Sequence, residues 1–142
     1  MLKSRVGYSL KEDDLEVGKD LAKETTKSLN NVRLNLLYTS CKSDIKKIVK
    51  GIRTITDTPI IGCTSSGGIM VPDGYITSED GFAGMMSLDD EHLTIGVACK
   101  EAGKDPRAIG RKVAIEAVEN ASSSRAPAYF YMIASPKKKK NI

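Results

Sequence analysis

The sequence is poor in the residues on which several classes of site depend. It has one histidine, His92, and three cysteines, Cys41, Cys63 and Cys99, no two of which are spaced C-x-x-C. A single imidazole argues against most metallohydrolase sites, and this set of cysteines indicates neither a disulfide framework nor a thiolate zinc site. We therefore expect no bound metal, no cofactor and a reducing, cytoplasmic compartment.

Long apolar runs and the features of a signal peptide are also missing. No segment approaches the roughly 20 apolar residues that a membrane-spanning helix needs. Four of the lysines are residues 137–140, and apart from these the chain has 18 basic and 18 acidic residues. The neutral charge of the rest of the chain argues against a surface that binds the phosphates of a nucleic acid, because such a surface needs clustered lysine and arginine. We expect neither a membrane nor a nucleic acid as a partner.

Two helices can be placed by their capping and apolar patterns. Ser9 and Glu12 match a capping box, which predicts a helix over residues 10–29. Ser43 and Asp44 open a second helix, since the apolar residues that follow recur at the spacing of one helix face. These apolar residues are Ile45, Ile48, Val49 and Ile52.

Strand patterns lie between and after these helices, in segments where apolar residues alternate or run together. The predicted strands cover residues 5–8, 32–38, a segment from residue 60, 80–88, 93–99 and 128–134. The strands over 80–88 and 93–99 are spaced as an antiparallel hairpin, and the last strand is apolar enough to be covered on both sides. A third helix follows Asp105 and Pro106.

The predicted order is β-α-β-α-β-β-β-α-β. With 142 residues, 40% of them hydrophobic, the chain fits one soluble globular domain. The hairpin makes part of the sheet antiparallel, so we predict an α/β (α+β) fold with a layered mixed β-sheet. The domain would occupy residues 1–136, and residues 137–142 would form a basic tail.

One segment is dense in small, hydrogen-bonding residues where the third strand is predicted to end. Its residues are Gly62, Cys63, Thr64, Ser65, Ser66, Gly67 and Gly68. Glycines allow unusual backbone angles and hydroxyls both donate and accept, so this loop can hold a carboxylate or a phosphate. The alternative is a tight connection whose glycines serve geometry alone. The segment is not a phosphate-binding loop, because Gly68 stands where that motif needs lysine.

Cys63 opens an enzymatic alternative. A thiol at a strand end beside backbone N–H groups can act as a nucleophile if a base is near, and His92 is the one imidazole available. His92 falls in the predicted hairpin turn, where an exposed histidine is ordinary. We therefore assign no catalytic residue and expect a non-enzymatic protein.

The run from Pro59 to Ile69, which reads PIIGCTSSGGI, resembles the N-terminal part of the FIST domain, a family with an "iGCsssG-I" segment. It follows a strand-helix unit with Tyr38, and the similarity extends over about residues 6–134. The resemblance implies an intracellular sensory domain of signalling proteins that binds small ligands such as amino acids. Together with the chemistry of the loop, it places the ligand on residues 62–68.

The resemblance also bears on partners, because the family's domain continues beyond the position of Ser135. It implies that the domain is incomplete in this chain. A homo-oligomer or a separate signalling output protein would complete the pocket, or the chain is a truncated form of a longer product. A further hypothesis is a structural protein-interaction domain whose last strand pairs with another chain.

Overall fold

The computed structural model describes residues 1–101 and 103–134, and these contain three helices and six strands. In chain order they are β1 (Lys3–Ser9), α1 (Asp14–Thr26), β2 (Val32–Ser40), α2 (Ile45–Arg53), β3 (Ile60–Ser65), β4 (Ile69–Val71), β5 (Gly74–Ile76), β6 (Ala83–Asp89) and α3 (Pro106–Asn120). The chain separates into two compact units, one spanning Met1–Leu93 and the other beginning at Thr94. The basic tail predicted over residues 137–142 lies outside the described residues.

Four strands of the first unit form a mixed sheet in the order β1-β6-β2-β3. Strands β2 and β3 are parallel and are connected through α2, whereas β6 is antiparallel to both β1 and β2. Strands β4 and β5 form a separate hairpin whose turn is Pro72 and Asp73. The predicted α+β class with a mixed sheet is confirmed.

Helices α1 and α2 cover one face of the sheet and enclose the core. A Cβ atom on Gly18 would lie 2.0 Å from the Ile48 carbonyl oxygen, and one on Gly51 would lie 2.2 Å from the Leu15 carbonyl oxygen. The two helices therefore approach each other at glycines, where no side chain separates their backbones. The buried core residues are Val17, Leu21, Ala22, Leu37, Ile48, Ile52, Ala83 and Met85.

A polar cluster joins α1, β2 and β6 beneath this core. The Ser87 Oγ atom lies 2.8 Å from Thr25 Oγ1 and 2.7 Å from Asn35 Oδ1. Thr25 Oγ1 also donates a hydrogen bond to the Leu21 carbonyl oxygen, at 2.8 Å. All three side chains of the cluster are fully buried. Because buried hydroxyls and amides require partners, the cluster fixes how the helix meets the two strands.

Helix α1 begins at Asp14, so the predicted start at residue 10 and the capping box at Ser9 are wrong. Ser9 ends β1, where it is buried and pairs with Ala83 of β6. Asp13 caps the helix instead, because its side chain accepts hydrogen bonds from the backbone N–H groups of Leu15 and Glu16. Because Ser9 is paired in the sheet, it does not cap the helix, and Asp13 is the N-cap instead.

Two predicted strands are absent from the described residues, which corrects the predicted element order after β3. Residues 93–99 form no strand, because β6 is already paired on both edges, with β1 and β2, and has no room for a hairpin partner. Residues 128–134 also form no strand and are largely exposed. The observed order is β-α-β-α-β-β-β-β-α, with β4 and β5 in place of the missing strands.

The second unit contains α3, which confirms the third predicted helix. Asp105 is its N-cap, accepting a hydrogen bond from the Ala108 N–H, and Pro106 is the first helical residue. Asn120 Nδ2 donates to the Val97 carbonyl oxygen at 2.9 Å and so ties the end of α3 to the segment that precedes it. Among the helices described, none has both the length and the apolar character required to cross a bilayer.

Candidate functional site

The segment predicted as a binding loop is half strand and half loop. Gly62 and the next three residues belong to β3, which pairs with β2 as far as Ser40 and Ser65. Only Ser66, Gly67 and Gly68 connect β3 to β4. The strand continues into the segment as far as Ser65 because these small residues still satisfy the parallel ladder with β2. The change from strand to loop thus falls within the segment, where the sequence analysis expects the third strand to end.

An open cleft of about 540 Å³ lies beside the end of β3. Its lining residues are Tyr38, Cys63, Thr64, Ser65, Ser66, Gly68, Ile69 and Met70. Five of the seven predicted site residues thus line one cleft, and Gly62 and Gly67 do not. The volume falls in the range of pockets that hold small molecules.

Tyr38, Ile69 and Met70 were missed by the sequence analysis, and the sheet explains how they reach the cleft. Tyr38 pairs with Cys63 of β3 and with Gly84 of β6, so the three residues share one face of the sheet. That face is opposite to the helix-covered one, since Leu37 belongs to the core and successive strand residues alternate. A Cβ atom on Gly84 would lie 2.4 Å from Ile69 Cδ1, so Gly84 makes room for β4 to form one wall.

The hydroxyls of the segment have different partners. Ser65 Oγ donates to the Gly68 carbonyl oxygen at 2.8 Å, and Thr77 Oγ1 donates to the Gly67 carbonyl oxygen at 2.8 Å. The hydroxyls of Thr64 and Ser66 are exposed and make no hydrogen bond to the described part of the chain. Ser65 therefore closes the turn, and the hydroxyl donors left for a ligand within the segment are those of Thr64 and Ser66.

Two of the glycines are required by close backbone approach. A Cβ atom on Gly62 would lie 1.7 Å from the Leu37 carbonyl oxygen, and one on Gly68 would lie 2.5 Å from the Ile76 carbonyl oxygen. Tyr75 also packs at Gly68, where the same Cβ atom would be 2.6 Å from its Cζ atom. Close backbone approach therefore explains by itself why residues 62 and 68 are glycines, as in the alternative in which the glycines serve geometry alone.

Cys63 and His92 lie toward opposite ends of the sheet. Cys63 is level with Gly84 at one end of β6, and His92 follows Asp89 at the other end. Five strand steps separate Gly84 from Asp89, a distance of about 17 Å. The His92 side chain is 82% exposed and lies beside Glu91. The structure thus forms no Cys63–His92 pair, and within the described residues no group of three or more potential metal ligands occurs.

A second cavity, of about 400 Å³, lies at the other end of β2. Its lining is mainly polar and consists of Thr26, Asn30, Asn31, Val32, Arg33, Ile55, Thr56 and Thr58. Three threonine hydroxyls there already bond within the chain: Thr26 Oγ1 donates to the Ala22 carbonyl oxygen, and the hydroxyl oxygens of Thr56 and Thr58 are 2.9 Å apart. The cavity beside β3 is therefore the better candidate site.

Comparison with known proteins gives one match. The family model described as the FIST N domain matches residues 33–139, about three quarters of the chain. The matched region includes β2 from Arg33 onward, α2, β3 and the whole lining of the cleft beside β3. The search of curated proteins found no match.

Proposed function

The chain belongs to the FIST N domain family, and from this premise we propose that it is a cytoplasmic sensory domain that binds a small polar ligand in the cleft beside β3. FIST domains are sensory domains of signal transduction, and the family is not known as enzymatic. The proposed ligand is an amino acid or a similar small carboxylate. Binding, rather than turnover, is then the activity to measure.

The observation that carries this proposal is the mixed chemistry of the cleft. The residues that line it include Thr64 and Ser66, which are exposed and carry hydroxyls, and the apolar residues Ile69 and Met70. Binding sites for small molecules combine a mainly apolar wall with a few polar groups that fix orientation. A ligand with a polar head and a short apolar body matches both kinds of lining residue.

The charge of the residues that line the cleft limits how a carboxylate could be bound there. Among the described residues that line the cleft, none is charged. A carboxylate would therefore be bound by hydroxyl and backbone N–H groups rather than by an ion pair. Such binding depends little on salt, because no opposite charge is being screened. Affinity that falls steeply with salt would place the ligand elsewhere on the surface.

The test of the proposal is a thermal-shift screen of the full chain against the standard amino acids and small carboxylates. A ligand that binds only the folded state at a hundredfold excess over its Kd stabilises that state by about 2.7 kcal/mol. A reproducible shift with one chemical class supports the proposal. A screen without any shift, on protein shown to be folded by circular dichroism, overturns the proposed ligand class.

The site itself is tested by removing Thr64 and Ser66 hydroxyls together. Each hydroxyl bond to a ligand is worth about 1 kcal/mol, so the Thr64→Ala, Ser66→Ala variant should bind about thirtyfold more weakly. The matched control is Ser4→Ala, Ser124→Ala, which removes the hydroxyls of two exposed residues that are not among those lining the cleft. Equal affinity of the two double variants for the ligand, measured by calorimetry, would contradict a binding site in the cleft.

A further inference from the structure

Strand β3 forms one edge of the mixed sheet, and its outer side has no neighbouring strand among the described residues. It pairs with β2 alone. The Asn35 N–H donates to the Pro59 carbonyl oxygen at 2.9 Å, so in this parallel ladder the odd-numbered residues of β3 bond to β2. The backbone groups of Ile60, Gly62 and Thr64 therefore point outward. They make no hydrogen bond to the described part of the chain. We call this side of β3 the open edge.

The open edge lacks the features that keep sheet edges from pairing. Strand β3 reads IIGCTS and contains neither a charged residue nor proline. The other edge of the sheet is β1, which carries Lys3 and Arg5. Charged side chains, proline and bulges on an edge strand discourage the addition of a further strand. Of the two edges, the open edge is therefore the one suited to pair with another chain.

The flank of α2 beside the open edge is apolar. Gly51 faces α1, because a Cβ atom there would lie 2.2 Å from the Leu15 carbonyl oxygen. With 3.6 residues per turn, Val49 lies on the opposite flank of α2, and Ile45 lies one turn before it. Helix α1 contacts β1 and β6, so this opposite flank is the one toward the open edge. Ile45 is 41% exposed and Val49 is half-buried.

We propose that two copies of the chain pair through their open edges, with the two β3 strands antiparallel about a twofold axis at Gly62. Gly62 then faces Gly62 of the second copy, and Ile60 faces Thr64 of the second copy. Every outward N–H and C=O group of these three residues is bonded in this register. Neither strand carries a charge, so no like charges face each other across the pair.

The spacing of the helices favours a second copy over an isolated peptide as the occupant. Helix α2 connects β2 to β3 and packs over them through Val49 and Ile60. Because neighbouring strands are about 4.8 Å apart, edge pairing places the two α2 helices about 10 Å from each other. Packed helices lie about 8–10 Å apart. The two apolar flanks would therefore cover each other, whereas a single added strand would leave the flank of α2 exposed.

The same register brings the second copy to the cleft. Ser65, which lines the cleft, would face Pro59 of the second copy. The segment before β3 in the second copy would then extend the cleft wall. This consequence rests on the proposed function, whereas the pairing does not. A ligand bound without pairing overturns this inference alone, and pairing without any ligand overturns the proposed function alone.

The first experiment is analytical ultracentrifugation of the full chain without ligand. Strand β3 is about 20 Å long and only one helix layer covers it, so the interface is smaller than the roughly 800 Å² per partner of a standard complex. We therefore expect a dimer of micromolar Kd, formed progressively between about 1 μM and about 1 mM protein. A monomer throughout overturns the proposal and leaves the open edge to a strand of another protein.

Added salt should not dissociate this dimer. The exposed lysines of α2, Lys46, Lys47 and Lys50, would repel their counterparts in the second copy, and salt screens that repulsion. The Kd should therefore be unchanged or lower at high salt. A dimer that dissociates as salt is added is held by opposite charges, which the open edge does not have, and overturns the proposal.

Two substitutions at one position test the backbone pairing. Proline is tolerated on an edge strand where its nitrogen faces outward, as at Thr64. Thr64→Pro removes one donor from each copy, and each lost hydrogen bond is worth about a factor of five, so the dimer should weaken about twenty-five-fold. Thr64→Ala loses the same hydroxyl but keeps the N–H, and it should dimerise as the parent does. Equal dimerisation of the two variants overturns the pairing.

A variant on α2 gives the same test without changing β3. Ile45→Lys places a charge on the flank that would contact the second copy, and it should weaken the dimer at least tenfold. The matched control is Ile115→Lys, which changes a residue of α3 that is 49% exposed. Circular dichroism checks that both variants are folded. A dimer of Ile45→Lys as tight as that of the control overturns the proposal.

The register is tested by a disulfide between copies. Residue 61 of one copy would lie opposite Cys63 of the other, with Cα atoms about 4.5 Å apart, within the range that a disulfide can bridge. Ile61→Cys, in a chain that also carries Cys41→Ser and Cys99→Ser, should form a covalent dimer on mild oxidation. Adding Cys63→Ser should abolish that dimer. No covalent dimer, or one that survives Cys63→Ser, overturns the proposed pairing.

Discussion

Single residues in the segment from Gly62 to Gly68 divide into those that shape it and those that face solvent. Gly62 and Gly68 permit backbone contacts that a side chain would block, and Ser65 closes the turn on the Gly68 carbonyl oxygen. Thr64 and Ser66 keep exposed hydroxyls. Substitutions at Gly62, Ser65 and Gly68 should therefore lower the free energy of unfolding. Substitutions at Thr64 and Ser66 should instead lower the affinity for the ligand.

Gly62→Ala is the sharpest test of the shaping residues. The added methyl group would lie 1.7 Å from the Leu37 carbonyl oxygen, which is backbone and has no rotamer with which to yield. We expect a loss of about 1–3 kcal/mol or more in the free energy of unfolding. The matched control is Gly110→Ala in α3, where a Cβ atom meets nothing within 4 Å.

The control should move in the other direction. Alanine is favoured over glycine inside a helix by up to about 1 kcal/mol, so Gly110→Ala should be neutral or stabilising. Both variants are compared with the parent by urea unfolding followed by circular dichroism. A Gly62→Ala protein as stable as the parent would contradict the close approach of β2 and β3.

At the scale of helices, the sequence predicts the starts that depend on neighbouring residues alone. Asp44 and Asp105 cap α2 and α3, as the sequence indicated, because an N-cap acts on N–H groups two or three residues away. Ile48 and Ile52 are buried on the predicted face of α2. The start of α1 could not be predicted from neighbouring residues, because Ser9 pairs with Ala83, a residue more than seventy positions farther along the chain.

At the scale of strands, prediction failed where pairing is non-local. An alternating pattern indicates that residues 93–99 could be a strand, but only the sheet order shows that both edges of β6 are occupied. The candidate site follows the same division. Its residues on β3 and the following loop were found from composition, whereas Tyr38 reaches the cleft through the register of β2 with β3.

The buried cluster of Thr25, Asn35 and Ser87 predicts how strongly α1 is tied to the sheet. Ser87→Ala removes the shared hydroxyl and leaves the Asn35 side chain, whose Nδ2 atom already has no partner, without its oxygen contact. An unsatisfied buried group costs about 1–3 kcal/mol, and we expect that loss in the free energy of unfolding. The exposed neighbour Ser4 supplies the control, since Ser4→Ala should change stability by less than about 0.5 kcal/mol. Similar values for the two variants would show that the cluster does not hold the elements together.

At the scale of the whole molecule, the chain forms two compact units. The unit over Met1–Leu93 contains the core, the mixed sheet and the cleft. The other contains α3, and residues 121–134, which follow that helix, form no helix or strand. Between β6 and α3, the described residues from 90 to 105 belong to no helix or strand. This stretch is therefore where the backbone should open most readily to a protease.

Limited trypsin digestion tests that division. Lys100 and Lys104 are exposed in this stretch, whereas lysines such as Lys46 and Lys50 lie in α2, where cleavage would require a packed helix to unfold. Apart from trimming from Arg125 onward, we expect the first cuts after Lys100 or Lys104. The product that persists should begin at Met1 and keep the whole mixed sheet, as judged by mass spectrometry.

The control for this experiment is the variant Lys100→Gln, Lys104→Gln, in which the early cuts should disappear while circular dichroism is unchanged. Lys100 is paired with Glu116, so a cut at Lys104 should come first if that ion pair restrains the segment. Early cleavage inside α1 or α2 would contradict the division, because it would mean that the first unit opens before the segment that follows it. Protection of both lysines would mean that the stretch between β6 and α3 is held more firmly than its lack of regular structure indicates.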